Sequence, residues 1–336
     1  MRWNPNTPDG EEDTRPTIDD YPHEEMKEPY RKSTYAWNPQ EHNGDILRIS
    51  KSSLGTFNWC PHQYYLEKFE GLRGEQVYYH IRGLNVHDIM EYFWKNIDKS
   101  LPDITTLYNE GHIERARAMM NDVVPQPPEP YEYGEEEQIR QWLDWQFERF
   151  TFTKGTGWKP VSCEAQVYGQ RVIEVDDEPI PFVMSGFIDT IFADGNGFAL
   201  IELKTGKWKD GSGRKRTAMR KEMQFYKMML ENSPHDELLP ITHWGWEFPG
   251  GGIEGGEGAH IYYEPTKDAR FTPKSVEKSI VKLVTAHIKQ EFPASASDIQ
   301  CGYCDYFEYC PKWTGEDLEK KLEAKKNEQR NNDISN

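Results

Sequence analysis

The chain has 336 residues, enough to bury one large core or two smaller ones. Forty Lys and Arg against 57 Asp and Glu give a net charge of −17, which excludes a uniformly basic nucleic-acid-binding surface, so any contact with an anionic polymer must be local. No apolar run reaches the ~18 residues that span a bilayer, and the stretch MRWNPNTPDGEEDTRP lacks an apolar leader core; an intracellular, membrane-free, reducing setting without disulfides is expected.

Residues 1–45 hold 11 acidic residues, several prolines and little periodicity, which predicts a disordered acidic tail. Trp3 and Trp37, each followed by Asn-Pro, either anchor a partner or dock the tail onto its own domain. An ordered domain is expected over 46–315. Ser50-Lys51-Ser52-Ser53 predicts a capped helix carrying Leu54, Phe57 and Trp59 and ending at Cys60-Pro61. Further helices are predicted over His62–Phe69, Arg82–Ile97, His112–Val123 and Glu135–Phe152. Strands follow at Val161–Tyr168, Arg171–Val175, Phe182–Phe192 and Phe198–Lys204, then a helix over Lys215–Leu230. Two strands, Ile241–Phe248 and Ala259–Tyr263, are joined by PGGGIEGGEG, which precedes no helix and is not a phosphate cradle. A helix over Pro273–Phe292 and a cysteine cluster close the domain, and residues 316–336 form a charged tail, helical at first and then frayed. This order implies an α/β core whose sheet begins mainly antiparallel, with an N-terminal helical insertion.

One stretch carries chemistry. Two apolar runs, Phe187–Phe192 and Phe198–Leu203, flank Ala-Asp-Gly-Asn-Gly, a hairpin signal. Asp189 lies on the first strand; Glu202 and Lys204 share one face of the second. Charges on a greasy strand need partners, and an Asp with a neighbouring Glu-x-Lys suits Mg²⁺ or Mn²⁺ that orients a water. A salt-bridged hairpin is the plainer alternative.

Two further patterns bear on that choice. Cys301, Cys304 and Cys310 form C-x₂-C-x₅-C and, with Cys60, supply four thiolates, enough for one 4Fe–4S cluster or one tetrahedral zinc. The spacing fits the paired C-x₂-C hairpins of zinc ribbons poorly. Such a group would staple the N-terminal helix to the C-terminal end without any need for redox activity. Cys163, on a predicted strand, reads as a small core residue. From Lys204 to Lys221 there are eight basic residues against Asp210 alone, a local +7 in an acidic chain. Lys207, Lys209, Arg214, Lys215, Arg216 and Arg220 are thereby candidate backbone contacts, and Trp208 could stack unpaired bases. Gly206-Lys207 is followed by Trp208, so no ATP-binding loop is present and any helicase would be a separate protein.

Taken together, SKSSLGTFNWCPHQYYLEKF, RGLNVHDIMEYF, GFIDTIFADGNGFALIELKTGKW, RKEMQFYKMML and FPASASDIQCGYCDYFEYC, in that order and with all four cysteines, resemble the PD-(D/E)XK nuclease superfamily. The resemblance is to its RecB-like branch with an iron–sulfur staple, which includes CRISPR-associated adaptation nucleases and the nuclease domains of AddAB-type repair complexes. It implies a restriction-endonuclease-like fold, a mixed central sheet flanked by helices. It implies a Mg²⁺- or Mn²⁺-dependent exodeoxyribonuclease acting on single strands or free duplex ends, in repair, recombination, or viral or CRISPR DNA processing. A recombination protein or helicase is the expected partner. By position, His87, Asp189, Glu202 and the carbonyl of Leu203 match the metal ligands. Lys204 matches the lysine that positions water and offsets phosphate charge, and Cys60, Cys301, Cys304 and Cys310 match the 4Fe–4S ligands. Glu164 resembles an upstream acidic residue, and Tyr226 a substrate contact. Glu222 stands where the family carries Gln, which puts DNA contact there in doubt. A catalytically weak Fe–S or zinc DNA-binding adaptor is the competing reading.

Overall fold

The computed structural model describes residues 33–335 apart from 41–44, 75–76, 128–129, 156, 196, 207–212, 235, 251–259, 267–272 and 315–317. Its scaffold is a seven-stranded mixed sheet with helices on both faces, as a restriction-endonuclease-like core requires. Strands β1 (Ser33–Thr34) and β2 (Ile46–Ser50) lead directly into α1 (Lys51–Trp59). The Ser50 hydroxyl accepts from the Ser53 N–H at 3.1 Å, and the Ser53 hydroxyl accepts from the Ser50 N–H at 2.8 Å. This reciprocal cap satisfies two backbone donors and fixes where the strand becomes a helix. Cys60 ends α1, and α2 (Pro61–Lys68) starts on the proline.

The helical insertion is α3 (Tyr78–Asn109), α4 (Ile113–Asn121) and α5 (Glu135–Thr153). Its apolar faces make a core of their own around Phe93, Trp94, Trp142, Phe147 and Trp158, reaching the sheet at Leu203. Helix α3 outruns its predicted end at Ile97, because Ile104 beyond Pro102 is fully buried in this core and tertiary packing holds the added turns.

A long hairpin follows, β3 (Ser162–Val175) and β4 (Glu178–Asp194). Its two-residue turn places Asp176 and Asp177 at φ 51° and 65°, the left-handed pair that matches the twist of the strands. Strand β5 (Gly197–Leu203), α6 (Gly213–Leu230), β6 (Ile241–Phe248) and β7 (His260–Pro265) complete the sheet. Helix α7 (Lys274–Lys289), the short α8 (Asp298–Cys301) and α9 (Leu318–Ser335) follow. The sheet is less antiparallel than its opening hairpin suggests: β2 runs parallel to β4, and β5 parallel to β6 across the α6 crossover. Those pairings join distant segments, which local periodicity does not report.

Strand β4 is the organising element. Strand β3 follows one edge from Glu178 to Ile191. The other edge is divided, β2 taking Phe182–Ser185 and β5 taking Thr190–Asp194. Both run toward the interval they leave, Gly186–Asp189, and the sheet forks there.

Both terminal expectations shift. Trp37 belongs to the core, 7% exposed, with its indole N–H donating to the Asp45 carbonyl at 3.0 Å, so it docks the N-terminal segment onto its own domain. Trp3 lies outside the described residues. Helix α9 extends to Ser335 and is tied back by Lys326 to Glu70 and by Gln329 to the Arg73 carbonyl.

His287 sits fully buried where these segments meet. Its Nδ1 lies 2.7 Å from the Trp37 carbonyl and its Nε2 3.0 Å from the Tyr64 hydroxyl. Burial pushes its pKa down to about 4. The unfolded chain takes this proton near the ordinary value of ~6.5, so the stabilisation is intact above that pH and is lost as pH falls toward 4. Urea unfolding of wild type against His287→Gln is expected to show the steeper loss in wild type, by about 3 kcal/mol between pH 7 and 4.

Candidate active site

The fork in the sheet collects the charged residues. Strand β2 ends at Ser50, so Lys51 projects into the gap from one side. Strand β5 ends at Leu203, so Glu202 and Lys204 enter from the other. Asp189 lies on the unpaired interval of β4, and its Oδ2 accepts from the Leu203 N–H at 2.6 Å. The carboxylate thus stands in for a ladder carbonyl where the strands separate. Across the other edge of β4, regular pairing skips Glu164, which takes φ 49° inside β3. A left-handed glutamate in a strand is a strained arrangement of the kind found beside functional sites, and here it accompanies the placement of the carboxylate beside Asp189.

Helix α3 contributes His87. Its Nδ1 is 3.7 Å from Glu164 Oε1 and 3.8 Å from Asp189 Oδ2, ion-pair rather than hydrogen-bond distances. One ligand atom from each of His87, Glu164 and Asp189 lies within 4.8 Å of the others. Glu202 is 3% exposed. Its Oε1 receives the ammonium groups of both Lys51 and Lys204, the latter at 3.1 Å, while its Oε2 is buried with no hydrogen-bond partner among the described residues. An unpartnered carboxylate oxygen beside two more carboxylates and an imidazole is a donor set that fits a hard divalent cation.

Electrostatics divide the acids. Burial pushes the Asp189 carboxyl up, Glu202 pushes it further, and His87 opposes. Burial also acts to raise Glu202, but Lys204 and Lys51 outweigh it and hold that carboxyl below the ordinary range. Burial works against charge on His87, yet Asp189 and Glu164 prevail and raise its pKa to about 9. Lys51 and Lys204 are likewise kept protonated against burial, chiefly by Glu202. Lys51, His87, Asp189, Glu202 and Lys204 open into a cleft of about 1220 Å³.

The family model for the PD-(D/E)XK nuclease superfamily matches residues 48–311. This chain belongs to that superfamily. The matched span covers the forked sheet, the helical insertion and all four clustered cysteines of this PD-(D/E)XK protein. Among solved structures, the crystal structure of SSO0001 is similar at a TM-score of 0.34 and 15% identity, over 82% of this chain and 91% of that one. No curated protein matches.

Within the PD-(D/E)XK core, sequence reasoning brought together His87, Asp189, Glu202, Leu203 and Lys204, and the cleft is lined by all five. It missed Lys51, whose only local sign is its place after a capping serine. The basic run fares differently. Lys207, Lys209 and Trp208 lie outside the described residues, as do the side chains of Arg214, Lys215 and Arg216 in the first turn of α6. Arg220 is not the backbone contact expected of it. Its side chain is 10% exposed and turned inward, with Nε 2.5 Å from Glu264 Oε1, so the carboxylate that also accepts from the Trp244 indole holds it. Tyr226 lines the cleft but is 2% exposed, its ring 4.9 Å beneath the Lys51 ammonium, so its observed contact is with that cation. Glu222, at the expected Gln position, pairs with Lys204 at 3.0 Å. Phe225 is buried core.

At the opposite end of α1, Cys60, Cys301, Cys304 and Cys310 line one small cavity, and all are free thiols. Burial and the neighbouring sulfurs push the Cys304 and Cys310 thiols up. Cys163 is half-buried against the insertion core.

Manganese titration followed by calorimetry is expected to weaken by at least about tenfold in Asp189→Asn and Glu164→Gln and to change little in Glu222→Gln. Unchanged affinity in Glu164→Gln would remove that carboxylate from the donor set.

Proposed function

We propose that this chain is a Mg²⁺- or Mn²⁺-dependent exodeoxyribonuclease of the RecB-like branch, acting on single strands or free duplex ends in DNA repair, recombination, or viral or CRISPR DNA processing. The observation that carries the reading is the convergence of Asp189, Glu202, Lys51 and Lys204 at the fork, in a cleft open to a polymer. His87, Glu164, Asp189 and Glu202 would hold the ion, with the Leu203 carbonyl as the family resemblance suggests. When bound, the ion supplies positive charge against the scissile phosphate and acidity to a nearby water.

The protein's own groups do the rest. Lys204, paired with Glu202 and Glu222, meets the phosphoryl oxygens as a fixed cation. Lys51 adds a second charge from the opposite lip, braced by the Tyr226 ring. Because Lys204 is shared with Glu222, an approaching phosphate exchanges one anionic partner for another, and Glu222 need not touch DNA.

The four thiols facing one cavity support a 4Fe–4S staple. A tetrahedral zinc on the same four thiolates is the competing occupant. A helicase or recombination protein is the proposed partner.

Digestion of end-labelled single- and double-stranded DNA with Mg²⁺ or Mn²⁺ tests the chemistry. Lys204→Ala is expected to lose roughly a hundredfold or more in cleavage rate while still binding DNA; equal degradation by variant and wild type defeats the assignment. Anaerobically purified protein is expected to be brown, with iron and acid-labile sulfide in equal amount, and Cys304→Ser to lose iron and solubility together. A soluble, iron-free, fully active Cys304→Ser protein would rule the staple out.

A further inference from the structure

A second groove, of about 710 Å³, lies between α1, α6 and α7. It is continuous with the catalytic cleft, because Lys51, Ala218 and Glu222 line both. Its floor is apolar, made by Leu54, Phe225 and Val276, each less than 7% exposed. Its rim is basic. Lys221 on α6 and Lys282 on α7 are exposed, and neither forms an ion pair among the described residues. Glu222, the acid in the lining, is engaged by Lys204. Trp59, 43% exposed at the end of α1, lines the same groove.

We propose that this groove carries the single-stranded tail of the nucleic acid beyond the catalytic cleft, Lys221 and Lys282 receiving successive phosphates and Trp59 stacking on a base. The inference rests on the nuclease reading for what occupies the cleft and adds a path to it. The chemistry of the lining selects the occupant. Cations on the rim with no ion pair among the described residues match a polyanion, and an apolar floor with an aromatic at its end matches base faces, which a duplex keeps inside its stack. In a chain of net charge −17, a continuous lane with these two lysines also steers a strand to one side of the fork.

The groove ends at the cysteine cavity. Trp59 and Gln300 line both, the Gln300 amide lies 3.4 Å from the Trp59 carbonyl, and Cys60 is the next residue in the chain. Trp59 therefore stands directly beside the cysteine cavity.

The test is binding of fluorescent single-stranded DNA oligonucleotides of increasing length to the full chain in Ca²⁺, read by anisotropy at several salt concentrations. Lys221→Ala/Lys282→Ala is expected to bind long oligonucleotides more weakly, with the loss growing with length. Its log–log salt dependence should be shallower by about 1.4, the value for two phosphates on a single strand. Trp59→Ala is expected to lose roughly tenfold with its salt slope unchanged. Lys221→Arg/Lys282→Arg, which keeps the charge, should restore the slope. Unchanged affinity and slope in the double alanine variant, or equal weakening toward a blunt duplex, overturns the proposal. If wild type digests DNA and Lys204→Ala does not, the nuclease reading survives that outcome; if they digest equally, that reading fails regardless of the groove.

Discussion

The competition of two strands for one edge of β4 governs this molecule. Neither β2 nor β5 pairs with Gly186–Asp189, so the backbone there lacks a ladder partner on that edge. The Asp189 side chain accepts from the Leu203 N–H where β5 ends. The same gap admits Lys51 from the end of one strand and Glu202 and Lys204 from the end of the other. The site follows from a topological fault whose repair needs charged groups, in line with the tendency of ligands to bind beyond the carboxyl ends of strands. Two ammonium groups on one carboxylate oxygen, with three further acidic or basic groups nearby, cost stability in a protein that used the gap only for packing.

Much of this was legible in the chain. Asp189, Glu202 and Lys204 stood out because charges on an apolar strand violate the local pattern, and such violations mark sites. The Ser50 cap and most helix and strand limits followed from periodicity and capping chemistry. Lys51 did not, since a lysine at the first position of a capped helix is unremarkable until β2 is laid parallel to β4 across more than a hundred residues. Glu164 was only half visible: its residue type suggested a role, but its left-handed backbone has no sequence signature. Arg220 misled in the opposite sense. Among neighbours that look solvated, only the tertiary ion pair with Glu264 reveals that Arg220 is held. Trp37 was obscured by an acidic surrounding that reads as tail.

The charge distribution separates two kinds of lysine. Lys51, Lys204 and Lys326 are each committed to a carboxylate, whereas among the described residues no ion pair engages Lys221 or Lys282. In a strongly acidic protein the uncommitted cations are the informative ones, since every free carboxylate nearby is a competitor they have avoided. Global charge then says little about ligand preference, and the local arrangement decides it.

The placement of β2 also bears on how the chain reaches its native state. Arg48 and Ser185 hydrogen-bond side chain to side chain at 3.1 Å although 137 positions separate them. Between them lies the insertion, with a core of its own. Closing so long a loop is slow and entropically unfavourable, and prior collapse of the insertion shortens the effective tether. The β3–β4 hairpin and the insertion rely on local contacts and can form first, leaving β2 as the late arrival. A chain that has not yet docked β2 therefore presents Asp189 and Glu202 with Lys204 but without Lys51. The fold thus withholds the second cation until a contact 137 positions apart is made.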